Sequence, residues 1–423
     1  MLNLQDNGAG TLTLGGIAAE RLAEIYGTPL NVIDLGVVEA AIATMSSACR
    51  PHGVRISYAA KAFLAIEFAK FLAKRDVCLD VCSLGELTVA ERAGFPPERL
   101  TLHGAGKTRE ELQAALDGRV GRIVVDGLDE LRTLCSLTAT RTCDVLLRLN
   151  TGIEAHAHEY VRTAGSRTKF GIIPEEEAKA AALLTVSPML RFCGLHAHIG
   201  SQIQDSAAFV ANAEALVDAA ARFAKSGLRT ETIVVGGGFG IPERPEEESP
   251  DVVSIIRDIV EAANRRSASH GFAAPSVEIE PGRAIVAEAG TTLYRVMAVK
   301  ERADCVFVIV DGGMGDNPRP ALYDAYHHII SVTRPDAAEL EVTVCGRTCE
   351  NDELGIVRLP DDIAAGQLLA MQNTGAYTYS MASNYNRFSR PAVVAVHNGN
   401  DRLLLRRETV DDVMRADVAG TEG

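Results

Sequence analysis

The chain has 423 residues, of which 47% are hydrophobic, and a formal net charge of −14. This length exceeds one ordinary compact domain, and the acidic balance argues against nucleic acid or an anionic membrane as a partner, since both attract basic surfaces. No apolar run is long enough to predict a membrane span, and the N-terminus lacks a signal-peptide pattern. The nine cysteines are interpreted as reduced thiols of a cytoplasmic protein, and no metal is expected because no cysteine pair has the partners of a zinc site.

Residues 1–35 contain two short β-like runs, TLTLGG and PLNVIDL, which are expected to join a domain formed by the other end of the chain. Eight β-rich apolar runs follow at regular intervals: residues 55–61, 78–83, 100–104, 122–127, 144–150, 192–201, 232–240 and 276–283. Helix-compatible stretches rich in Ala, Leu and Glu separate most of them. Strands that alternate with amphipathic helices indicate a parallel sheet, and eight such units predict a closed (β/α)8 TIM barrel, an α/β fold, over residues 36–284.

After about residue 285, five short β-like runs follow one another with few helical stretches between them: TTLYRVMAVKE, CVFVIVDGG, LEVTVCG, GQLLAMQNTG and PAVVAVHN. This change predicts a separate antiparallel β-domain built from residues 1–35 and 285–423. The C-terminal residues VDDVMRADVAGTEG are expected to form a short helix and a frayed tail.

The predicted barrel has a consequence for function, because active sites of this fold lie at the C-terminal ends of the strands. In this sequence those ends carry Lys61, Asp80, His103, His198, Gly236–Gly240 and Glu280–Arg283. We therefore expect a site built from these residues at one rim of the barrel.

Three of these residues have a chemical interpretation and an ordinary one. Lys61 lies in the apolar segment SYAAKAF, where partial desolvation would lower its pKa and make it a better nucleophile, but a surface lysine with a buried stem also fits. Glu280 is suited to keeping the nitrogen of a pyridine ring protonated, or it simply pairs with Arg283. His198 either stacks on a flat cofactor or is a core histidine.

Gly236–Gly240 follows the seventh run, where barrels of this type usually bind phosphate, although a tight turn explains the glycines equally well. The dinucleotide fingerprint does not fit, because residue 241 is Ile. The segment Gly104–Thr108 resembles a nucleotide loop but lacks the Walker spacing, since residue 101 is Thr.

Two segments of the predicted β-domain are unusually polar. Arg319 and Tyr323 lie four residues apart and are suited to binding a carboxylate. The segment Thr348–Asp352 places a thiol next to acids. Ordinary loop chemistry remains the alternative for both.

Several motifs occur together in one order: YAAKAF, HIGSQI, GGGFGI, EPGRAIVAEAG, DGGMGDNPRPALY, the Cys349–Glu350 pair and GAYTYSMASNYN. In this order and approximate spacing, from about residue 15 to 405, the sequence resembles the fold-type III pyridoxal-phosphate (PLP) decarboxylases, and most closely the diaminopimelate decarboxylases. The resemblance implies a barrel of the alanine-racemase type, PLP as cofactor, and decarboxylation of meso-2,6-diaminopimelate to L-lysine and CO2, which completes lysine biosynthesis.

The resemblance also implies roles for individual residues. Lys61 resembles the lysine that carries PLP as a Schiff base, and Glu280 resembles the partner of the pyridine nitrogen. The other cofactor contacts that it implies are Asp80, His198, Ser201, Gly236, Gly237, Gly238, Gly282, Arg283 and Tyr377. The substrate contacts that it implies are Arg283, Arg319, Tyr323, Glu350 and Tyr377.

The resemblance further implies a head-to-tail homodimer with shared active sites. Cys349 and Glu350 would then enter the site of the second subunit. There Cys349 would donate a proton to the α-carbon, and Glu350 would bind the distal ammonium of a small amino-acid substrate.

Two segments depart from the usual family pattern. Cys349-Glu350-Asn351-Asp352 is apparently one residue shorter than Cys-Glu-Ser-Gly-Asp, and His103–Lys107 reads HGAGK where the family usually has His-Gly-Asn-Asn-Lys. Both lie near the expected substrate side. They leave open a related diamino acid or a conjugated amino acid as the substrate.

Other functions fit the sequence less well. Simple lysine or ornithine has no distal carboxylate for Arg283 and Arg319 to bind. Racemases of this fold are expected to have arginine in place of Glu280. A non-catalytic homologue would usually lose Lys61 or the phosphate loop, and both are present.

Overall fold

The computed structural model describes residues 5–6, 12–139, 141–153, 168–334 and 336–418. Within these ranges the strands are β1 (Gln5–Asp6), β2 (Leu12–Leu14), β3 (Ile17–Ala18), β4 (Leu30–Asp34), β5 (Arg55–Ala59), β6 (Cys78–Val81), β7 (Leu100–Leu102), β8 (Arg122–Val125), β9 (Cys143–Arg148), β10 (Leu190–His196), β11 (Thr232–Val234), β12 (Ser276–Ile279), β13 (Gly290–Glu301), β14 (Val306–Val310), β15 (Ile329–Ser331), β16 (Leu340–Cys345), β17 (Glu353–Leu359), β18 (Leu368–Gln372), β19 (Ala392–His397) and β20 (Asn400–Leu405).

The α-helices in the same ranges are α1 (Ala19–Tyr26), α2 (Leu35–Cys49), α3 (Ile66–Ala73), α4 (Leu84–Arg92), α5 (Arg109–Leu116), α6 (Leu128–Ser136), α7 (Pro174–Thr185), α8 (Ala207–Ala224), α9 (Val252–Ser269), α10 (Arg283–Val286), α11 (Arg319–Tyr323) and α12 (Val410–Met414). The last of these is the short C-terminal helix that the sequence predicts. The end of the predicted tail, residues 419–423, lies outside the described residues.

The chain divides into two compact units. The first, here called the barrel unit, consists of residues 42–241 and 249–284. The second, the β-unit, consists of residues 1–41, 242–248 and 285–423. No helix of the described residues has both the length and the apolar character that crossing a membrane requires.

The barrel unit contains a closed barrel of eight parallel strands, β5 to β12, in sequence order. Pairing of Ile279 in β12 with Ile56 in β5 closes the ring. Six of the eight predicted apolar runs contain one of these strands and the other two overlap β9 and β10, so the predicted TIM barrel is confirmed. Val124, Leu146, Cys193 and Val234, from four different strands, pack together as a buried cluster, as expected for a barrel filled with side chains.

Two helices that follow strand ends with polar residues begin at residues that cap their first turn. The Ser83 hydroxyl accepts the Glu86 amide at the start of α4, which follows β6. Thr108 and Glu111 form a reciprocal capping box at the start of α5, which follows β7. Because each cap satisfies backbone donors that a helix start leaves open, the loops that precede these helices are short and fixed.

The β-unit is organised around a large sheet in the order β17-β16-β14-β13-β4-β19-β20, with β18 paired to both β13 and β15. Most pairs are antiparallel, as predicted, but β4 with β19 and β14 with β16 run parallel. The run PLNVIDL supplies β4 and therefore joins this sheet as expected. The run TLTLGG instead contributes β2 to a small sheet with β1 and β3.

Strand β13 is shared by two hydrophobic cores of the β-unit. Leu293 packs into the core that contains Leu30 and Val394, whereas Tyr294 packs into the core that contains Val308 and Val342. Successive side chains of a strand point to opposite faces of a sheet, so one strand can serve both cores.

Candidate active site

Lys61 lies on a 3-10 turn, Ala60–Ala62, that directly follows β5. Its neighbours Ala60 and Ala62 are buried, but Lys61 itself is exposed, so the desolvation expected from the apolar segment does not extend to its side chain. It lines a cavity of about 140 Å³ whose other walls are Ala59, Asp80, Cys82, His103, Gly104, Ala105, Arg148, Phe170 and His198. Residues at or just beyond the ends of β5, β6, β7, β9 and β10 thus meet in one space, as the barrel fold predicts.

A buried polar network joins five strands of the barrel. The Ser57 hydroxyl donates to Asp80 Oδ1 at 2.6 Å. His103 Nε2 lies 3.6 Å from Asp80 Oδ1 and 3.1 Å from Glu280 Oε1. His196 Nε2 lies 2.9 Å from the other oxygen of Glu280. Both oxygens of the Glu280 carboxylate therefore face imidazoles at two other strands of the barrel, β7 and β10.

The members of this network set each other's protonation. Burial opposes the charge on Glu280, but the adjacent His196 and His103 outweigh it and hold the pKa of Glu280 well below its usual value. Burial also opposes the charge on His103, yet Glu280 and Asp80 raise its pKa to about 9. At neutral pH, His103 is thus an imidazolium between two carboxylates. Burial lowers the pKa of His196, so at neutral pH the ionised Glu280 faces one charged imidazole and one neutral imidazole.

The ionised Glu280 suits a cationic group. His103, His196 and Glu280 each offer one ligand atom, and these atoms lie within 4.8 Å of one another. A metal ion would require His103 to lose its proton, whereas a protonated ring nitrogen would be attracted directly by the ionised Glu280.

His198 lines the cavity and has a fixed ring. The backbone amide of Gly237 donates to His198 Nδ1 at 3.2 Å, so the neutral ring carries its proton on Nε2. Burial, followed by the positive charges of Lys61 and Arg148, places the pKa of His198 well below its usual value. His198 is therefore a flat, neutral ring of defined orientation at neutral pH.

The glycine run after β11 is packed against its neighbours too closely for side chains. A Cβ atom on Gly237 would lie 2.1 Å from the Glu280 carbonyl oxygen, and one on Gly238 would lie 2.3 Å from the Gly200 carbonyl oxygen. Gly236 and Gly238 also have φ values of +78° and +99°, which favour glycine. These glycines bring the backbones that follow β10, β11 and β12 together.

Ser201 and Arg283 meet beside this glycine run. Arg283 Nη2 donates to Ser201 Oγ at 3.2 Å, and Arg283 is buried at the start of α10. Gly282, also buried, connects Arg283 to the end of β12. The predicted phosphate-binding residues of the barrel unit therefore form one cluster. It consists of a hydroxyl group, a guanidinium group and the backbone of the glycines.

Three predicted residues cluster in the β-unit. The buried Arg319 guanidinium lies over the rings of Tyr323 at 5.6 Å and Tyr377 at 5.9 Å from their centroids. Tyr377 has a φ of +59°, a conformation that is uncommon for a residue with a side chain. An arginine flanked by two phenols can bind a carboxylate with both charge and hydrogen bonds.

Cys349 and Glu350 lie on the loop between β16 and β17, and both are exposed. The Cys349 amide donates to Asn386 Oδ1 at 3.1 Å, and the Tyr385 hydroxyl donates to the Glu350 carboxylate. In the described structure these contacts lead to residues 385–386, not to Arg319, Tyr323 or Tyr377. The predicted substrate residues of the β-unit therefore form two separate groups.

Sequence reasoning missed several residues of the site. Arg148 lines the cavity, lies 3.2 Å from Asp126 Oδ1 and stacks over Phe170 at 4.3 Å. Arg148 is the last residue of β9, and a charged residue at or near a strand end is the signal that selected Lys61 and Asp80. Ser57 and His196 lie inside strand runs, where only the barrel register shows that they face the network.

Hydrogen bonds explain why the altered segment His103–Lys107 contains a lysine. The Lys107 ammonium donates to the carbonyls of Gly104 at 2.8 Å and Val124 at 2.6 Å and to Glu130 Oε1 at 2.8 Å. Its side chain is only 1% exposed. Lys107 therefore fixes the loop after β7 and does not reach the cavity.

Comparisons with known proteins identify the class to which this barrel and site belong. A family model described as pyridoxal-dependent decarboxylase, pyridoxal binding domain, matches residues 35–287. That range contains all eight barrel strands, Lys61, the glycine run and Glu280.

Similarity to individual proteins extends over nearly the whole chain. It is 42% identical to a diaminopimelate decarboxylase of Mycobacterium tuberculosis, covering 97% of this chain and 95% of the relative, and 40% identical to one of Bacillus subtilis, covering 98% and 97%. A crystal structure of M. jannaschii diaminopimelate decarboxylase in complex with L-lysine has a TM-score of 0.91 at 30% identity, covering 99% of both chains. The chain therefore belongs to the pyridoxal-dependent decarboxylases, in the branch of the diaminopimelate decarboxylases, and it is a carboxy-lyase.

Proposed function

We propose that this protein uses PLP to decarboxylate meso-2,6-diaminopimelate to L-lysine and CO2. The observation that carries the proposal is the ionised Glu280, held through both oxygens by His103 and His196, in the same barrel rim as the lysine-lined cavity. The relatives named above act, by their names, on diaminopimelate, and the M. jannaschii structure contains L-lysine. The proposed substrate is thus the one in the relatives' names, and the proposed product is the molecule in the M. jannaschii structure.

The residues present fit PLP. Glu280 remains ionised and would hold a protonated pyridine nitrogen. The glycine run, Ser201 and Arg283 supply a crowded backbone, a hydroxyl and a cation suited to a phosphate. When bound, PLP supplies an aldehyde for covalent attachment and a ring that accepts the electron pair of the broken carbon–carboxylate bond.

The chain's own residues then have definite tasks in the barrel unit. Lys61 Nζ is the amine that binds the cofactor covalently, and it can move a proton to or from the substrate. His198 presents a neutral ring of fixed orientation against which a flat ring can stack. Asp80, tied to Ser57 and His103, keeps the network in place behind Glu280.

The β-unit would supply recognition of the substrate. We propose that Arg319 and Tyr323 bind its distal carboxylate, with Arg283 and Tyr377 contributing at the substrate and phosphate ends. Cys349 would donate a proton to the α-carbon and Glu350 would bind the distal ammonium, both from the second subunit of a homodimer. The exposure of Cys349 and Glu350 on a loop supports this assignment, because such residues are available to another copy of the chain.

A cytoplasmic location is part of this proposal. All nine cysteines are unpaired, and seven are at least partly buried, which is typical of a protein in a reducing compartment.

The experiment that tests the proposed function is a substrate panel on the PLP-loaded protein, with CO2 and amine product measured together. We expect meso-diaminopimelate to yield equal amounts of L-lysine and CO2. L-Lysine, L-ornithine and a conjugated diamino acid test the alternatives. Release of CO2 from one of these, with none above background from diaminopimelate, would overturn the proposed substrate but not the decarboxylase class.

A further inference from the structure

Asp352 is the last residue of the shortened Cys349–Asp352 segment. None of the roles proposed above is assigned to it. Its carboxylate is buried, with 4% of the residue exposed. Oδ1 accepts the Met314 amide at 2.7 Å, and Oδ2 accepts the Thr348 hydroxyl at 2.7 Å. Met314 and Thr348 lie in two different loops, so one carboxylate connects them.

These two loops carry or lead to the proposed substrate residues of the β-unit other than Tyr377. Residues 311–318, here the first loop, connect β14 to α11, which carries Arg319 and Tyr323. Residues 346–352, the second loop, connect β16 to β17 and carry Cys349 and Glu350. Asp352 therefore joins the bases of both groups.

The loops approach each other too closely for ordinary side chains at the junction. A Cβ atom on Gly313, in the first loop, or on Gly346, in the second, would lie 2.2 Å from Asp352 Oδ2. The Arg347 amide also donates to the Gly312 carbonyl at 3.1 Å. Two glycines thus make room for the carboxylate, and backbone contact reinforces the junction.

A third segment ties the same loops together farther from Asp352. The Ser383 amide donates to Gly315 of the first loop at 2.7 Å. Asn386 accepts the Cys349 amide of the second loop at 3.1 Å, and Tyr385 contacts Glu350. The two loops are consequently connected at their bases by Asp352 and at a second point by residues 383–386.

We propose that Asp352 is a positioning residue for the reaction, which holds the loop leading to Arg319 and the loop carrying Cys349 and Glu350 in one arrangement. This inference rests on the proposed function of those residues. It assigns the shortened segment a role: the acid at its end keeps the loop anchored although the segment has lost a residue.

The test compares Asp352→Ala, Asp352→Asn and Thr348→Val with Asp361→Ala, an exposed aspartate of the same unit, as the matched control. All are PLP-loaded and assayed for kcat and KM with meso-diaminopimelate. Asp352→Ala is expected to lower kcat/KM about 100-fold, mainly through KM, because small displacements of binding groups have effects of this order. Asp352→Asn keeps an acceptor for the Met314 amide and should restore part of the loss, and the control should match the parent protein.

Amide hydrogen exchange of the same proteins provides a readout independent of turnover. Asp352→Ala should speed exchange in both loops, whereas Thr348→Val should affect only the second, since the Met314 contact remains. The positioning role would be overturned if amide exchange in the first loop were unchanged in Asp352→Ala. It would also be overturned if exchange became faster in both loops while KM stayed unchanged. If the parent protein does not act on diaminopimelate, the proposed function fails, and the exchange of the two loops still decides whether Asp352 connects them.

Discussion

The barrel rim and the β-unit loops differ in how they hold their candidate residues. In the barrel unit, Glu280 is buried and fixed through both carboxylate oxygens, and the glycine run permits no side chain. In the β-unit, Cys349 and Glu350 are exposed and held at a loop through residues 385–386. In the proposed function, the groups that hold the cofactor come mainly from the barrel unit, whereas recognition of the substrate is assigned mainly to the β-unit.

One of the two departures from the family pattern, between Cys349 and Asp352, lies in a β-unit loop that the buried Asp352 anchors. The other, His103–Lys107, begins at a member of the Glu280 network, and its Lys107 fixes the loop after β7. The members of the Glu280 network contact side chains on other strands of the barrel. Variants in the two regions should accordingly affect different kinetic constants.

The largest effect is expected from Lys61 in the barrel unit. Lys61→Ala removes the amine that binds the cofactor and moves a proton, so kcat should fall about 10³-fold or more. Lys225→Ala, an exposed lysine at the end of α8, serves as the control. Steady-state CO2 release checks this prediction, and a Lys61→Ala protein with near-normal kcat would remove the barrel rim from the reaction.

A smaller loss is expected from Glu280→Gln, which keeps the shape of the side chain but removes its charge. Since the electron-accepting ring would lose its acidic partner, we expect kcat to fall about 10²-fold with little change in KM. The exposed Glu231→Gln is the control. A change in KM without a change in kcat would instead indicate that Glu280 binds the substrate. That result would contradict the expected kinetic difference between the two regions.

In the β-unit, Arg319→Ala should act mainly on KM. Loss of a charge-assisted contact to the distal carboxylate predicts a KM for diaminopimelate raised about 20-fold. Arg319→Lys keeps a positive charge but loses the planar fork, so an intermediate KM is expected, and the exposed Arg334→Ala is the control. Turnover left intact by Arg319→Ala would instead favour a substrate without a distal carboxylate.

The smallest effect concerns stability and pH. Because the pKa of His103 is raised from near 6.5 to about 9, its stabilising contribution is complete below pH 6.5 and is lost as the pH rises through 9. The loss amounts to about 3 kcal/mol at most. Thermal unfolding of the cofactor-free protein and of His103→Gln, followed from pH 6 to pH 10, should show an advantage of the parent that shrinks with rising pH. A constant difference would contradict the assigned protonation of His103.

The barrel could be predicted from sequence because each strand is a short apolar run that ends in polar or flexible residues. The β-unit was predicted less completely. Strands β15, β17 and β20 were missed, since β15 has only three residues, β17 alternates buried and exposed residues, and β20 is mostly exposed at a sheet edge. The parallel pairs β4–β19 and β14–β16 join segments distant in sequence, which local patterns do not specify.

The site shows the same limit at the level of single residues. Strand-end reasoning found Lys61, Asp80 and His198, because their positions follow from the fold class. It gave no role to His196, which faces Glu280 only through the register of β10. Asp352 could not be found from its own sequence, because its contacts depend on a close approach of two loops made by distant glycines.

The central claim is that Lys61 carries the cofactor. Borohydride reduction of the PLP-loaded protein, followed by peptide mapping, tests it directly. The account predicts a single pyridoxyl-modified peptide, with the modification at Lys61. A modification at another lysine, or none at position 61, would contradict it.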